Sequence, residues 1–470
     1  MLTQAAISTP VERDAFPADQ DMSTSHVKAL HTGKASHRYW RWLVPALGIL
    51  MVALLVGPRV PDNRQAESCV VNVHIAGPFG TSLNCDSPEY MRLAWQPSAL
   101  LEPRNTRQSR PGLIMAAALI AVPLSPFTSL VKTSGVRARR ADIDSGRVEN
   151  ALARYFPGYA AYILLNIVFL LLSFYLFQLV CGTRVVDASG TAILVSTCFL
   201  LAANDVVKAF VWSPHTQMLN ILVPVFTVWC SLRAADGALL QRRFVLLVGG
   251  ITGVGAAAYP LFVIVLPCVL IAGAASMFAR QSVRPLRLFA LHVLALGVLA
   301  VLPEGLWYLF VRWRTGGFYQ HEVALGQVVW IAAAWHGGVG VLLREWMVHF
   351  SRLVTLAAAQ SLPIAALLVV AAVARRATWG AAARFPRQRA ILLYSALTTT
   401  MVGAFYATTG LTVSRLAYAM VPPVIVASAA VVLGTVVILP ARRRMLVAYA
   451  CIAISILQAT FVVLKNGPFS

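Results

Sequence analysis

Long apolar runs recur along this chain, and their length decides what it can fold into. A run of roughly 17 to 25 residues crosses about 30 Å of hydrocarbon, where each backbone N–H and C=O must be satisfied inside the segment, so such runs become helices. They fall near residues 42–57, 112–131, 159–180, 191–211, 216–232, 244–259, 261–279, 286–311, 353–374, 390–410, 416–439 and 445–464. Composition agrees: 58% of the 470 residues are hydrophobic, 12% are charged and the mean hydropathy is +0.71, whereas soluble domains carry about 25% charged residues. The expected fold is an all-α polytopic membrane protein with about eleven or twelve transmembrane helices and a long first outer loop.

The formal charge of +21 invites a nucleic-acid reading. The arginines, however, lie in short clusters between apolar runs (Arg137/Arg139/Arg140, Arg242-Arg243, Arg375-Arg376, Arg442 to Arg444). This is the pattern of cytoplasmic loops, and nothing resembles a recognition fold, so no nucleic-acid partner is expected. Acids are scarcer and more informative, for none of the 18 lies beyond Glu345. Any carboxylate chemistry belongs to the earlier part of the chain.

Residues 1–38 are polar and lack an apolar period, and read as a disordered cytoplasmic tail ahead of a transmembrane domain over 39–470. Lys34, His37, Arg38 and Arg41 precede the first run, which implies an uncleaved first helix with its N-terminus cytoplasmic. Residues 58–111 then form the first outer loop, and the basic stretch 132–157 is expected inside. Counting every run as a crossing would put the Arg233/Arg242/Arg243 loop outside. One segment must therefore be re-entrant or interfacial, with 112–131, 191–211 and 323–350 as the candidates, and Trp212 to Gln217 is best placed outside.

The first outer loop contains six arginines and five acids, an alternating piece (Val70 to Ile75), a Gly/Pro turn and the motif Cys85-Asp86-Ser87-Pro88-Glu89-Tyr90. Cys69 and Cys85 both lie in it, and an oxidising compartment would allow a disulfide clamping the residue before Asp86. Ser87 and Pro88 suit the first turn of a helix over 87–95, with Glu89 near its positive end. Asp86 is open to two readings: an ordinary cap, or a base facing a groove at the membrane surface that accepts a proton from an acceptor hydroxyl. Tyr90 belongs to the same groove. Trp212-Ser213-Pro214-His215-Thr216-Gln217 forms a second polar patch, flanked by Asn204, Asp205, Lys208 and Asn220, and ionisable groups at membrane depth default to function. Arg415 lies between two apolar runs in the acid-free region, where a lipid phosphate would satisfy it.

An early membrane helix, an outer loop bearing Asp86-x-x-Glu89-Tyr90, and Gln108-Ser109-Arg110-Pro111 at the mouth of the next run together resemble the GT-C superfamily. These are polyprenyl-phosphate-sugar-dependent glycosyltransferases, including protein mannosyltransferase-like and aminoarabinose transferase-like proteins, and the resemblance covers roughly residues 40–235. It implies inverting transfer from a polyprenyl-phosphate sugar, on the outer face of an inner membrane, to a hydroxyl of a glycan, lipid or protein acceptor. Asp86 then falls at the catalytic position, with Glu89 as an acidic partner. The departing phosphate needs cations, for which Arg104, Arg107, Arg110, His215 and Arg415 are candidates, with Tyr90, Trp212 and Gln217 lining the substrate groove. The second acid stands at Glu89 rather than beside Asp86, and Arg110-Pro111 replaces the Lys-Pro-Pro of some relatives, so acceptor identity does not carry over. No dinucleotide fingerprint, P-loop or His/Glu metal signature is present, so no cofactor is expected; a divalent cation at Asp86/Glu89 stays open. The alternatives are a transporter or lipid-linked-sugar flippase and an O-antigen polymerase or ligase type protein.

Overall fold

The computed structural model describes residues 33–130, 137–138, 145–182, 187–280, 284–324, 326–376 and 386–469. The tail expected over residues 1–38 lies outside them up to residue 32. The described residues are 79% helical, and the order of their elements fixes the labels used below.

Helix α1 (Gly33–Ala53) leads to the hairpin β1 (Val70–Ala76) and β2 (Phe79–Asn84), then to α2 (Ser87–Trp95) and α3 (Pro111–Leu124). Strand β3 (Arg137–Ala138) precedes the long α4 (Ser145–Cys181), which kinks at Tyr155 ahead of Pro157. There follow α5 (Ala188–Phe199), α6 (Asp205–Phe210), α7 (Leu219–Ala235), α8 (Arg242–Ala258), α9 (Val265–Arg280) and α10 (Arg284–Thr315). Short α11 (His321–Ala324) and α12 (Val329–His336) lead to α13 (Val339–Ala359), α14 (Leu362–Arg376) and α15 (Pro386–Thr409). Finally come α16 (Ser414–Ala417), α17 (Val421–Val437) and α18 (Ala441–Leu464).

Length and apolarity qualify seven of the described helices to cross a membrane, or eight if α13 and α14, bent by 68° at their junction, count as one span. The expectation was about eleven or twelve. The difference arises because several apolar runs form shorter helices, over Tyr39–Ala53, Ala188–Phe199 and Leu219–Ala235. The run at 191–211 is not one helix: Asn204 accepts hydrogen bonds from the Val206 and Val207 N–H groups, both at 3.0 Å, and so caps the new helix α6. The protein is thus a multi-pass helical membrane protein with one small sheet beside it.

Contacts between loops sort the chain to two ends of the bundle. At one end, the Phe469 N–H donates to Val56, Asn466 donates to Pro58 and Arg59, Lys465 pairs with Asp205, and Trp307 donates to Gln108. At the other, Arg387 pairs with Asp236, Arg444 with Asp187, and His292 bonds the Leu239 carbonyl. β1 pairs antiparallel with both β2 and β3, through Val73 with Ala138 and His74 with Arg137. This corrects the expected placement of the basic stretch 132–157: Arg137 belongs to the same end as the first loop. Of the helices between these paired strands only α3 is long and apolar enough to span, so the segment holding it enters and leaves on the same side. Counting α3 as a lasting crossing is what reverses the later loops.

Small residues let the helices approach closely. A Cβ at Gly253 of α8 would collide with the Leu299 carbonyl of α10 and lie 2.9 Å from Pro303, and one at Gly112 of α3 would lie 2.8 Å from the Ala258 backbone N. The main core runs through α1, α4, α5, α7 and α17, with Phe174, Phe177, Phe210 and Tyr418 fully buried.

Candidate functional site

Two polar segments, distant in sequence, are sewn together at the loop-rich end. Cys69 and Cys85 form a disulfide with a Cα separation of 5.4 Å, and the Cys85 N–H donates to the Cys69 carbonyl at 3.0 Å. Beside it, the Asn84 N–H donates to Ser87 Oγ at 3.1 Å, and Ser87 Oγ lies 2.9 Å from Ser213 Oγ. Ser87 therefore ties the hairpin to the 212–217 turn rather than capping α2. From α4, Asn166 Nδ2 donates to the carbonyls of Phe210, Val211 and Ser213 at 2.9, 3.2 and 3.0 Å. The turn carrying His215 is held from both sides.

Asp86 occupies the N-cap position of α2, but its side chain makes no cap hydrogen bond. One carboxylate oxygen is 2.7 Å from an Arg107 terminal nitrogen and the other is 3.5 Å from His215 Nε2. Of the two readings open at Asp86, the ordinary cap is thereby removed. The Thr216 N–H donates to His215 Nδ1 at 2.9 Å; a nitrogen that accepts carries no proton, so the neutral ring bears its hydrogen on Nε2, facing Asp86. Burial lowers the His215 pKa to about 4, with the Asp86 carboxylate opposing and Arg415 adding to the shift. At neutral pH the ring is uncharged. Burial would raise the Asp86 carboxyl, yet His215 and the Arg107 guanidinium outweigh it and hold it well below the usual carboxylate range.

These groups open into a recess of about 340 Å3 lined by Asp86, Tyr90, Arg107, Arg110, His215, Gln217 and Arg415, among others. One carboxylate thus faces three guanidinium side chains. The Arg107 guanidinium also lies 4.8 Å over the Tyr90 ring, which packs edge-on against His215. The Tyr90 hydroxyl is buried and has no hydrogen-bond partner among the described residues.

Three expected site residues are not brought here. Glu89, three residues into α2, turns to Arg92, which holds both of its oxygens at 3.1 Å, and does not line the recess; it is no partner of Asp86. Arg104 is exposed at a turn with φ 61° and does not reach the recess. Trp212 is fixed elsewhere, its indole N–H donating to the Met51 carbonyl at 2.9 Å. A cation between Asp86 and Glu89 would need both carboxylates on one side, and they face different partners; no group of three potential metal ligands occurs among the described residues.

The remaining wall was not legible beforehand. Asn220 accepts from the Tyr259 and Tyr406 hydroxyls at 2.7 and 2.9 Å, and donates to Gln217 Oε1 at 2.6 Å and to the Arg415 carbonyl at 3.0 Å. This one amide sets the positions of Gln217 and Arg415, both of which line the recess. Tyr259 and Tyr406 lie at helix ends where tyrosines read as interfacial anchors, and only the polar Asn220 within an apolar run gave a signal. From the loop after α10, Gln327 and Val328 close one side, while the Tyr319 N–H fastens that loop to Gln108 Oε1 at 2.7 Å.

No family model, curated protein or solved structure matches this chain. The fold and the recess define a polytopic helical membrane protein with a carboxylate and arginines gathered at one end of the bundle.

Proposed function

We propose that the protein is an inverting glycosyltransferase that moves a sugar from a polyprenyl-phosphate donor to an acceptor hydroxyl, with Asp86 as base. The observation that carries this reading is the recess itself: a lone carboxylate, held by Arg107 and faced by His215, opens beside Arg110 and Arg415 where the helices end. A lipid-linked phosphate arriving in the plane of the headgroups would meet guanidinium groups suited to bidentate oxyanion contacts.

In the step proposed, the acceptor oxygen attacks the anomeric carbon from the face opposite the phosphate. Asp86 takes the hydroxyl proton as the new C–O bond forms. The anomeric carbon–phosphate oxygen bond breaks, and its electron pair leaves with the polyprenyl phosphate, whose charge Arg110 and Arg415 offset. His215 orients the carboxylate through Nε2–H, and the Tyr90 hydroxyl supplies a donor toward substrate. The loop-rich end is assigned to the outer face of an inner membrane, with the N-terminus cytoplasmic.

The test is transfer by purified protein supplied with polyprenyl-phosphate sugars, the acceptor being found by comparing cell-envelope glycans with and without the gene. Asp86→Asn is expected to lower transfer about 10²- to 10⁴-fold while leaving donor binding measurable. Unchanged transfer by a well-folded Asp86→Asn variant rules the mechanism out.

A further inference from the structure

Beside the recess lies a second polar cavity, of about 190 Å3, lined by Arg59, Asp205, Lys208, Arg415, Lys465 and Asn466. Two of its four cations are already committed. Lys465 pairs with Asp205 at 2.6 Å, and Lys208 Nζ donates to the Val462 and Val463 carbonyls at 2.8 and 3.1 Å, covering the C-terminal end of α18.

Arg59 and Arg415 differ. Among the described residues neither guanidinium has a hydrogen-bond or ion-pair partner, although the Arg59 guanidinium carbon lies over the Phe210 ring, 4.8 Å from its centroid. The two repel each other: burial first, and then the charge of Arg415, bring the Arg59 pKa down to about 10, with the Asp205 carboxylate only partly opposing. The cavity's one carboxylate, Asp205, is held by Lys465, so four cations gather around a single anion; a half-buried pocket with that excess is unfavourable by itself and becomes more favourable when an oxyanion enters. Phe210 also packs against His215, ring centroids 4.9 Å apart, so the cavity adjoins the proposed catalytic groups through that ring and through Arg415.

We infer that this cavity is a second anion site, which takes a phosphate group between Arg59 and Arg415 with Lys465 at its rim. The phosphate belongs either to an anionic lipid headgroup or to a soluble phosphate compound; the guanidinium chemistry is the same. The site stands whether or not the neighbouring recess transfers sugar.

The experiment uses the full chain in nanodiscs of phosphatidylcholine, with inorganic phosphate titrated calorimetrically, and in mixed phosphatidylcholine/phosphatidylglycerol nanodiscs, with retained lipid counted by native mass spectrometry. Wild type is expected to hold phosphatidylglycerol in preference to phosphatidylcholine, or else to bind inorganic phosphate; the first result assigns a lipid headgroup and the second a soluble phosphate. In either arm Arg59→Gln should weaken the binding about tenfold or more, with Arg59→Lys falling between. Lys465→Gln weakens it less and serves as the second variant should Arg59→Gln not fold. Asp86→Asn is expected to bind as wild type, so loss of transfer in that variant and loss of binding in Arg59→Gln report on different sites. Binding of neither probe by wild type, or binding undiminished in folded Arg59→Gln and Lys465→Gln, overturns the assignment.

Discussion

Asp86 is paired so closely to Arg107 that, as it stands, it would be a poor base, since a carboxylate held well below its usual range has little affinity for a proton. An arriving phosphate competes for the same guanidinium, and on taking it would let the carboxyl rise to where it can accept one. Arg107→Gln should therefore move the acid limb of the kcat/KM profile to higher pH while weakening donor binding, because the variant lacks the cation that holds the Asp86 pKa down. An acid limb left in place counts against the exchange. Stability carries a separate signature. The unfolded His215 has a pKa near 6.5 and the folded one about 4, so between those values the unfolded chain binds more protons and stability falls as pH falls. Asp86 acts with the same sign in a lower window: its folded pKa is also depressed, so its contribution is complete above about pH 4 and is lost only as the pH drops toward the folded value. Thermal unfolding in detergent should show wild type losing stability from about pH 6.5 downward and His215→Gln losing less over that window.

At the scale of elements, the site depends on a turn that belongs to no helix. Residues 212–217 are placed by Asn166 of α4, by Ser87 and, through the Trp212 carbonyl, by the Tyr159 hydroxyl at 3.0 Å. Asn166→Leu removes the donor to three buried carbonyls and should cost about 1–3 kcal/mol. It should also lower transfer, because the His215 ring loses its fixed distance to Asp86. A variant that loses stability yet transfers normally would show that the turn is held elsewhere. The disulfide and the β1–β2 hairpin do the matching work on the other side, fixing the residue before Asp86 to Cys69.

For the whole molecule, the contacts that sort the loops to two ends make a direct prediction. Cys181, Cys198, Cys230, Cys268 and Cys451 are buried, and the other two cysteines are joined, so single introduced thiols can be read cleanly. Reporters at Glu67 and Gln320 should react with an impermeant maleimide from one side of sealed vesicles, and reporters at Gln241 and Arg443 only from the other. Labelling of all four from one side would break the assignment. The helical membrane class was readable from the residues alone, because the cost of unsatisfied backbone in hydrocarbon leaves a long apolar run only one conformation. Asp86 stood out for the same reason, as one of few acids in a chain with little use for them. Which charges meet is a different matter. Glu89 lies three residues from Asp86 yet serves Arg92, while His215, more than a hundred residues away, faces it. Spacing along a chain says nothing of which helix ends share a surface, and the Asn220 hub, the fate of Arg104 and the return of α3 to its own side were all decided by packing.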